Sequence, residues 1–171
     1  MPRVDRFIVG VCTLVAMLLV AAPVAYEAPM FSRCTQAAMD ILARADAVER
    51  HPPAWLVTGV DETLTSTDLP LASARMSMWN SGCNGPRYRT VERMFERLGL
   101  SIYWRLRFSH EDVVALYVSQ AWLGMRPVGF AAASRAYFGR ELGALTPDQQ
   151  RCLMQKLRSV NPRGVACEKR R

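Results

Sequence analysis

Ser109–Gln150 reads SHEDVVALYVSQAWLGMRPVGFAAASRAYFGRELGALTPDQQ, and its spacing decides the fold. Ser109 and Asp112 stand three apart, like a capping box, in which each side chain bonds the other's backbone N–H at a helix start. Val113, Leu116, Tyr117 and Ala121 then recur at helical steps and carry an apolar face. Gly124 ends that helix. From Pro127 or Val128 a helix of small residues, GFAAASRAYF, runs to Gly139. Thr146-Pro147-Asp148-Gln149 places threonine at the cap, proline first and glutamine third, so another helix starts there. It runs to about Arg158, and Asn161-Pro162 stop it.

The flanking sequence continues the pattern. A helix is predicted from about Arg87 to Trp104. Val91, Met94, Phe95, Leu98 and Ile102 form its buried stripe, and Arg87, Arg89, Glu92, Arg93, Glu96 and Arg97 its charged face. Gly99 inside it costs about 1 kcal/mol relative to alanine and marks a bend or close packing. Asn80–Pro86, NSGCNGP, is a turn. Leu69 to Trp79 reads as a short helix, preceded by apolar AWLVTGV and polar DETLTSTD. Residues 33–49 are helical, with Thr35 as N-cap and a stripe of Ala37, Ala38, Ile41, Leu42, Ala45 and Val48. That stripe packs on the core or lies on a membrane, and Pro52-Pro53 end the helix. No alternating strand pattern or internal repeat occurs, so the fold expected is all-α with short loops.

Phe7–Tyr26, FIVGVCTLVAMLLVAAPVAY, holds 20 residues without a charge. As a helix at ~1.5 Å per residue it spans roughly 30 Å, the hydrocarbon thickness of a bilayer. Arg3 and Arg6 precede it and keep the N-terminus cytoplasmic. A cleaved signal peptide is the alternative, although Pro23 spoils the cleavage positions after Ala22 and Ala25. The expected organisation is a cytoplasmic 1–6, an anchor at 7–26, a helical domain at 27–163 and a basic tail at 164–171. Cys34, Cys83, Cys152 and Cys167 follow the run. They form two disulfides in one of three pairings, or stay as buried thiols. The net charge of +7 suits an anionic partner such as phosphate or acidic lipid, or is simply a basic surface. Without aromatic-interleaved basic motifs or zinc spacing, a nucleic-acid partner is not expected. With two histidines and no C-x-x-C, neither a metal site nor a Ser-His-Asp triad is expected.

The ordered set Tyr117, Gly124, Gly129, Ala133, Tyr137-Phe138-Gly139 and Leu145-Thr146 resembles the C-terminal half of the peptidoglycan glycosyltransferase module, family 51. That module occurs in bifunctional penicillin-binding proteins and monofunctional transglycosylases. The resemblance implies an anchored, exported, lysozyme-like helical domain, here reduced, in the bacterial inner membrane. It implies lipid II, a disaccharide on a lipid pyrophosphate, as substrate, with nascent glycan and cell-wall synthesis proteins as further partners. Many members also use a divalent cation. Two family glutamates carry the chemistry: a general base within reach of the acceptor hydroxyl, and a second that assists pyrophosphate departure beside fixed positive charge.

Both motifs depart from the family's pattern here. Asp61 stands where the base glutamate belongs, with Glu62 next to it. Thr65 replaces a phenylalanine and Asp68 a histidine. In the second motif, Met94 replaces lysine and Arg97 replaces glutamate, with Glu96 one position off. The candidate catalytic residues are therefore Asp61, Glu62 and Glu96, and the candidate pyrophosphate ligands Arg87, Arg89, Arg93 and Arg97. Tyr117, Gly124, Gly129, Tyr137, Phe138 and Gly139 are the structural motif. Three readings follow: a weak or non-catalytic member that binds lipid II, glycan or a partner; an active polymerase using Asp61 or Glu62 as base; a decayed fragment.

Overall fold

A computed structural model describes residues 29–65, 68–83, 90–126 and 128–167, with the side chains at 90–93, 95 and 96 left out. The run Phe7–Tyr26 and residues 168–171 of the basic tail lie outside the described residues, as do Arg87 and Arg89. Eight α-helices follow in order: α1 (29–44), α2 (Ala47–Arg50), α3 (Ala54–Thr63), α4 (Asp68–Ser81), α5 (Thr90–Arg107), α6 (His110–Gln120), α7 (Phe130–Phe138) and α8 (Pro147–Arg158). Short 3-10 turns lie at Leu142–Ala144 and Pro162–Gly164. No strand occurs among the described residues, as the sequence pattern requires. No helix among them is long and apolar enough to cross a membrane.

Helix α6 is the centre. The capping boxes expected at Ser109 and Thr146 both form. After the first, Val113, Val114, Ala115, Leu116, Tyr117 and Val118 are all buried. The expectation of one apolar face is thus too narrow, because a helix buried on every side needs apolar residues all round. Helices α2, α3, α4 and α7 pack around it. On one side Leu56, Val60, Leu69, Phe130 and Leu153 join Val114. On the other, Met30, Cys34, Ala38, Leu100 and Trp104 join Leu116. Each large aliphatic or phenyl side chain among them contributes roughly 1.5–3 kcal/mol on burial.

The N-terminal helix differs from expectation. It is already helical at residue 29, the first described residue, so Thr35 lies inside it, where its hydroxyl accepts from Trp104 Nε1 at 3.3 Å. The chain breaks at Ala45 and Asp46, well before the prolines. Asp46 caps α2 by accepting from the Val48 N–H at 3.1 Å. Arg50 donates to the carbonyls of Leu42 and Ala43 at 3.1 and 2.7 Å. Both orphaned helix ends are satisfied without continuing the helix.

Helix α5 is rotated relative to the predicted stripe. Leu100 and Trp104 are fully buried, whereas Met94, Leu98 and Ile102 are 62%, 46% and 54% exposed. The large indole sets the buried face. Gly99 lets α1 close onto α5, since a Cβ there would lie 2.9 Å from Phe31 Cζ. Val91 and Phe95 lie outside the described side chains.

Of the three cysteine pairings, the chain uses Cys34–Cys83 and Cys152–Cys167. The first ties α1 to the segment after α4 across a separation of 49 residues. The second ties α8 to the C-terminal segment across 15. Closing such loops restricts the unfolded chain.

The motif residues of the opening stretch hold the α6–α7–α8 corner. Tyr137 donates its hydroxyl proton to the Leu123 carbonyl at 2.9 Å. The buried Lys156 ammonium sits 4.3 Å from the centre of the Tyr137 ring and donates to the carbonyls of Pro162 and Val165. Gly129, at φ 105°, has no room for a Cβ, which would fall 2.8 Å from Glu49 Oε1 and 2.9 Å from the Ser119 carbonyl oxygen. This close approach lets Glu49, 5% exposed, accept from the Ala131 N–H at 2.7 Å. A carboxylate there answers the unpaired donors and positive end of α7.

Burial raises the Glu49 pKa, and the hydrogen bond from Ala131 only partly opposes it. Between the unfolded value near 4.5 and the higher folded value, the folded state therefore holds a proton that the unfolded state releases. Its stabilising contribution is complete below the unfolded value near 4.5 and is lost as pH rises through the higher folded value. Urea denaturation of wild type and Glu49→Gln at pH 5 and pH 8 should show wild type gaining stability relative to the variant at the lower pH. An identical difference at both pH values would contradict this.

Candidate functional site

A cavity of about 530 Å³ opens between the end of α3 and helices α4, α5 and α6. Leu64, Asp68, Leu71, Ala72, Arg75, Met76, Met94, Arg97 and Tyr117 line it. Five of these come from α4 at positions 68, 71, 72, 75 and 76, the spacing of one helix face. Arg75 and Arg97 bring guanidinium groups from two different helices. Among the described residues neither forms an ion pair. Arg97 Nε is buried without a hydrogen-bond partner among the described residues. A buried unsatisfied donor costs roughly 1–3 kcal/mol, more when charged.

The carboxylate in this cavity is Asp68. Its Oδ2 accepts from the Thr65 hydroxyl at 2.6 Å, and its N–H donates to the same oxygen of Thr65 at 3.2 Å. These bonds begin α4 and restrain the carboxylate near the mouth. Tyr117 forms part of the wall. Burial raises the pKa of its phenol, so the hydroxyl keeps its proton.

The predicted catalytic residues fall elsewhere. Asp61 and Glu62 are exposed neighbours on α3, about 100° apart around the helix. Asp61 Oδ1 lies 3.1 Å from His110 Nε2 at the start of α6. Asp61 is one turn from Leu64, and His110 is two turns from Tyr117, so this pair stands about 10 Å along α6 from the tyrosine. Glu62 points toward α8, where Arg158 Nη2 lies 3.1 Å from its Oε2. Arg158 Nε also donates to the Thr63 hydroxyl at 3.0 Å. Neither Asp61 nor Glu62 lines the cavity. Of the predicted arginines, Arg97 does. The side chains of Arg93 and Glu96, with Arg87 and Arg89, lie outside the described residues.

Asp68 and Arg75 are the site residues that sequence reasoning missed. Their seven-residue separation on one helix was the available signal. In the family resemblance Asp68 stands at a histidine position and Arg75 falls in no motif.

Two guanidinium groups facing one cavity suit a phosphate or pyrophosphate, which arginine grips through paired hydrogen bonds. They do not suit a divalent cation. Hard cations need several oxygen ligands, and among the described residues this cavity offers one carboxylate beside two positive charges. A second cavity of about 510 Å³ adjoins Asp46, Glu49 and Arg135. Its charges already answer one another, for Arg135 Nη1 lies 2.9 Å from both Asp46 and Glu141. Fold maintenance accounts for that group.

A family model described as Transglycosylase matches residues 74–168, more than half of the chain. The chain is 33% identical over 58 residues to penicillin-binding protein 1A of Vibrio cholerae. The aligned part covers 34% of this chain and 7% of that protein, so the chain corresponds to a small portion of the curated relative. No solved structure matches. The chain belongs to the transglycosylase family. The family match takes in Arg75, Arg97 and Tyr117 and begins beyond Asp61, Glu62 and Asp68.

A side chain held for a ligand at the expense of the fold should reveal itself when it is removed. Arg97→Met keeps the length of the stem and deletes the unsatisfied nitrogen. Its urea-unfolding midpoint should match or exceed that of wild type, with a gain of up to about 1 kcal/mol. A loss of more than that would mean that Arg97 serves the fold.

Proposed function

We propose that this transglycosylase-family chain binds a lipid-linked, pyrophosphate-bearing glycan in the α4–α5–α6 cavity and polymerises it weakly or not at all. The observation that carries the reading is the pairing in the cavity of Arg75 and Arg97, two positive side chains that form no ion pair among the described residues. A pyrophosphate between them would supply the acceptors that Arg97 Nε lacks. The low catalytic power follows from the acids. Polymerisation needs a general base within hydrogen-bond reach of the acceptor hydroxyl. Asp61 is turned to His110 and Glu62 to Arg158.

The family relationship supplies the substrate class, and the lysozyme-like arrangement of helices is part of the same proposal. The chain is placed in the bacterial inner membrane, held by Phe7–Tyr26 with its helical domain on the extracytoplasmic side. Two disulfides suit that oxidising compartment.

Asp68 supports a second reading, slow polymerisation, because it is the carboxylate that lines the cavity. Purified full chain with labelled lipid II separates the two. Under the binding reading, lipid II associates without polymer, and the charge-reversed pair Arg75→Glu and Arg97→Glu abolishes association. Polymer that disappears in Asp68→Asn would replace that reading with slow polymerisation. Polymer that requires Asp61 would overturn both.

A further inference from the structure

Helix α4 continues its cavity face beyond the cavity. Asp68, Ala72 and Arg75 line the cavity at steps of four and three, and the next residue of that series is Trp79. About three full turns separate Asp68 from Trp79, so both leave the helix on the same side. The opposite side is taken up by Ser73, Ala74, Ser77 and Met78, all buried. Trp79 thus stands one turn, or about 6 Å, past Arg75. It is 80% exposed, whereas Trp104 is buried completely. Tyr103 and Trp122 are exposed as well, but their rings have partners. Phe31 stacks on Tyr103, and the Arg163 guanidinium sits 5.5 Å from the centre of the Trp122 ring. Among the described residues no aromatic ring or cation covers Trp79. The fold gains little from an indole left in water, because aromatic side chains stabilise chiefly through the area they bury.

We infer that the open indole face of Trp79 carries the sugar ring next to the pyrophosphate and so makes the site prefer a glycosylated lipid to a bare one. Two arguments select this occupant. The first is connectivity. In a lipid-linked glycan the first sugar is bonded through its anomeric oxygen to the outer phosphorus. A phosphate held by Arg75 therefore keeps that ring within about one helical turn of the guanidinium, which is the separation of Trp79 from Arg75. The second is chemistry. The hydroxyls of a pyranose ring point mostly around its rim and leave a face of C–H groups with slight positive charge. The face of an indole is apolar and electron-rich, and it complements such a surface. One turn before Arg75, in the other direction, Leu71 offers no flat face.

The inference rests on the pyrophosphate reading of the cavity and extends that site along α4. A single stacked ring binds weakly alone. Tethered to a phosphate that the arginines already hold, it meets the indole at a high effective concentration. Trp79 is thus a specificity-determining residue whose effect appears only with a sugar on the pyrophosphate.

The test measures binding of full-length protein, in detergent micelles, to two probes: lipid II and polyprenyl pyrophosphate without sugar. Trp79→Ala should weaken lipid II binding on the order of tenfold and leave polyprenyl pyrophosphate binding unchanged. Trp79→Tyr keeps a flat face and should retain most of the affinity for lipid II. Trp79→Leu is apolar but not flat and should lose as much as Trp79→Ala. Equal weakening of both probes would overturn the inference, because Trp79 would then serve the cavity or the micelle contact rather than the sugar. Lipid II binding that ignores Trp79→Ala would overturn it as well. In that case polyprenyl pyrophosphate still binds and still requires Arg75 and Arg97. Failure of the cavity reading differs, since both probes would then bind the Arg75→Glu and Arg97→Glu double variant as well as wild type.

Discussion

Six successive residues of α6 are buried, and a helix without a solvent face cannot exist alone. Its side chains are covered only when α2, α3, α4 and α7 surround it. This requirement orders the rest of the chain. Helix α4 must lie along α6, which carries Asp68 and Arg75 to the same opening as Tyr117. Helix α5 must lie along α4, which brings Arg97 across from them. The cavity is thus a consequence of how one apolar helix is enclosed. At the far end of α6, Gly129 permits the close turn that delivers the start of α7 to Glu49.

The same packing explains what the cavity lacks. Asp61 and Glu62 sit on the exposed side of α3 and are drawn to His110 on α6 and Arg158 on α8. Exposed ion pairs of this kind contribute little to stability, so they do not lock the side chains. They do show which way the carboxylates face. Arginine at position 97 meanwhile places positive charge where a family glutamate is expected. A cavity with two guanidinium groups and one restrained aspartate is better suited to holding a phosphorylated ligand than to moving its protons.

Much of this was legible in the sequence wherever a local rule applied. Ser109 with Asp112 and Thr146 with Gln149 specify helix starts through short-range hydrogen bonds, and both form. The order of glycines and aromatics after Tyr117 identified the family. The orientation of α5 was not legible, because its sequence carries two apolar stripes. Counting residues favours Met94, Leu98 and Ile102, but the larger volume and tertiary partners of Trp104 decide the outcome. The break at Asp46 was hidden too, since it depends on Arg50 reaching back to Leu42 and Ala43. The cavity was not legible either, because its lining residues on α4 show only as a helix face, whereas the family motif falls on Asp61 and Glu62.

The most direct measurement is an NMR titration of full-length protein in nanodiscs with a lipid-linked disaccharide pyrophosphate, following the arginine side-chain resonances. Binding in the α4–α5–α6 cavity predicts saturable shifts at Arg75 and Arg97, with Arg158, beside Glu62, unmoved. Shifts at Arg158 that leave Arg75 and Arg97 unchanged would contradict it.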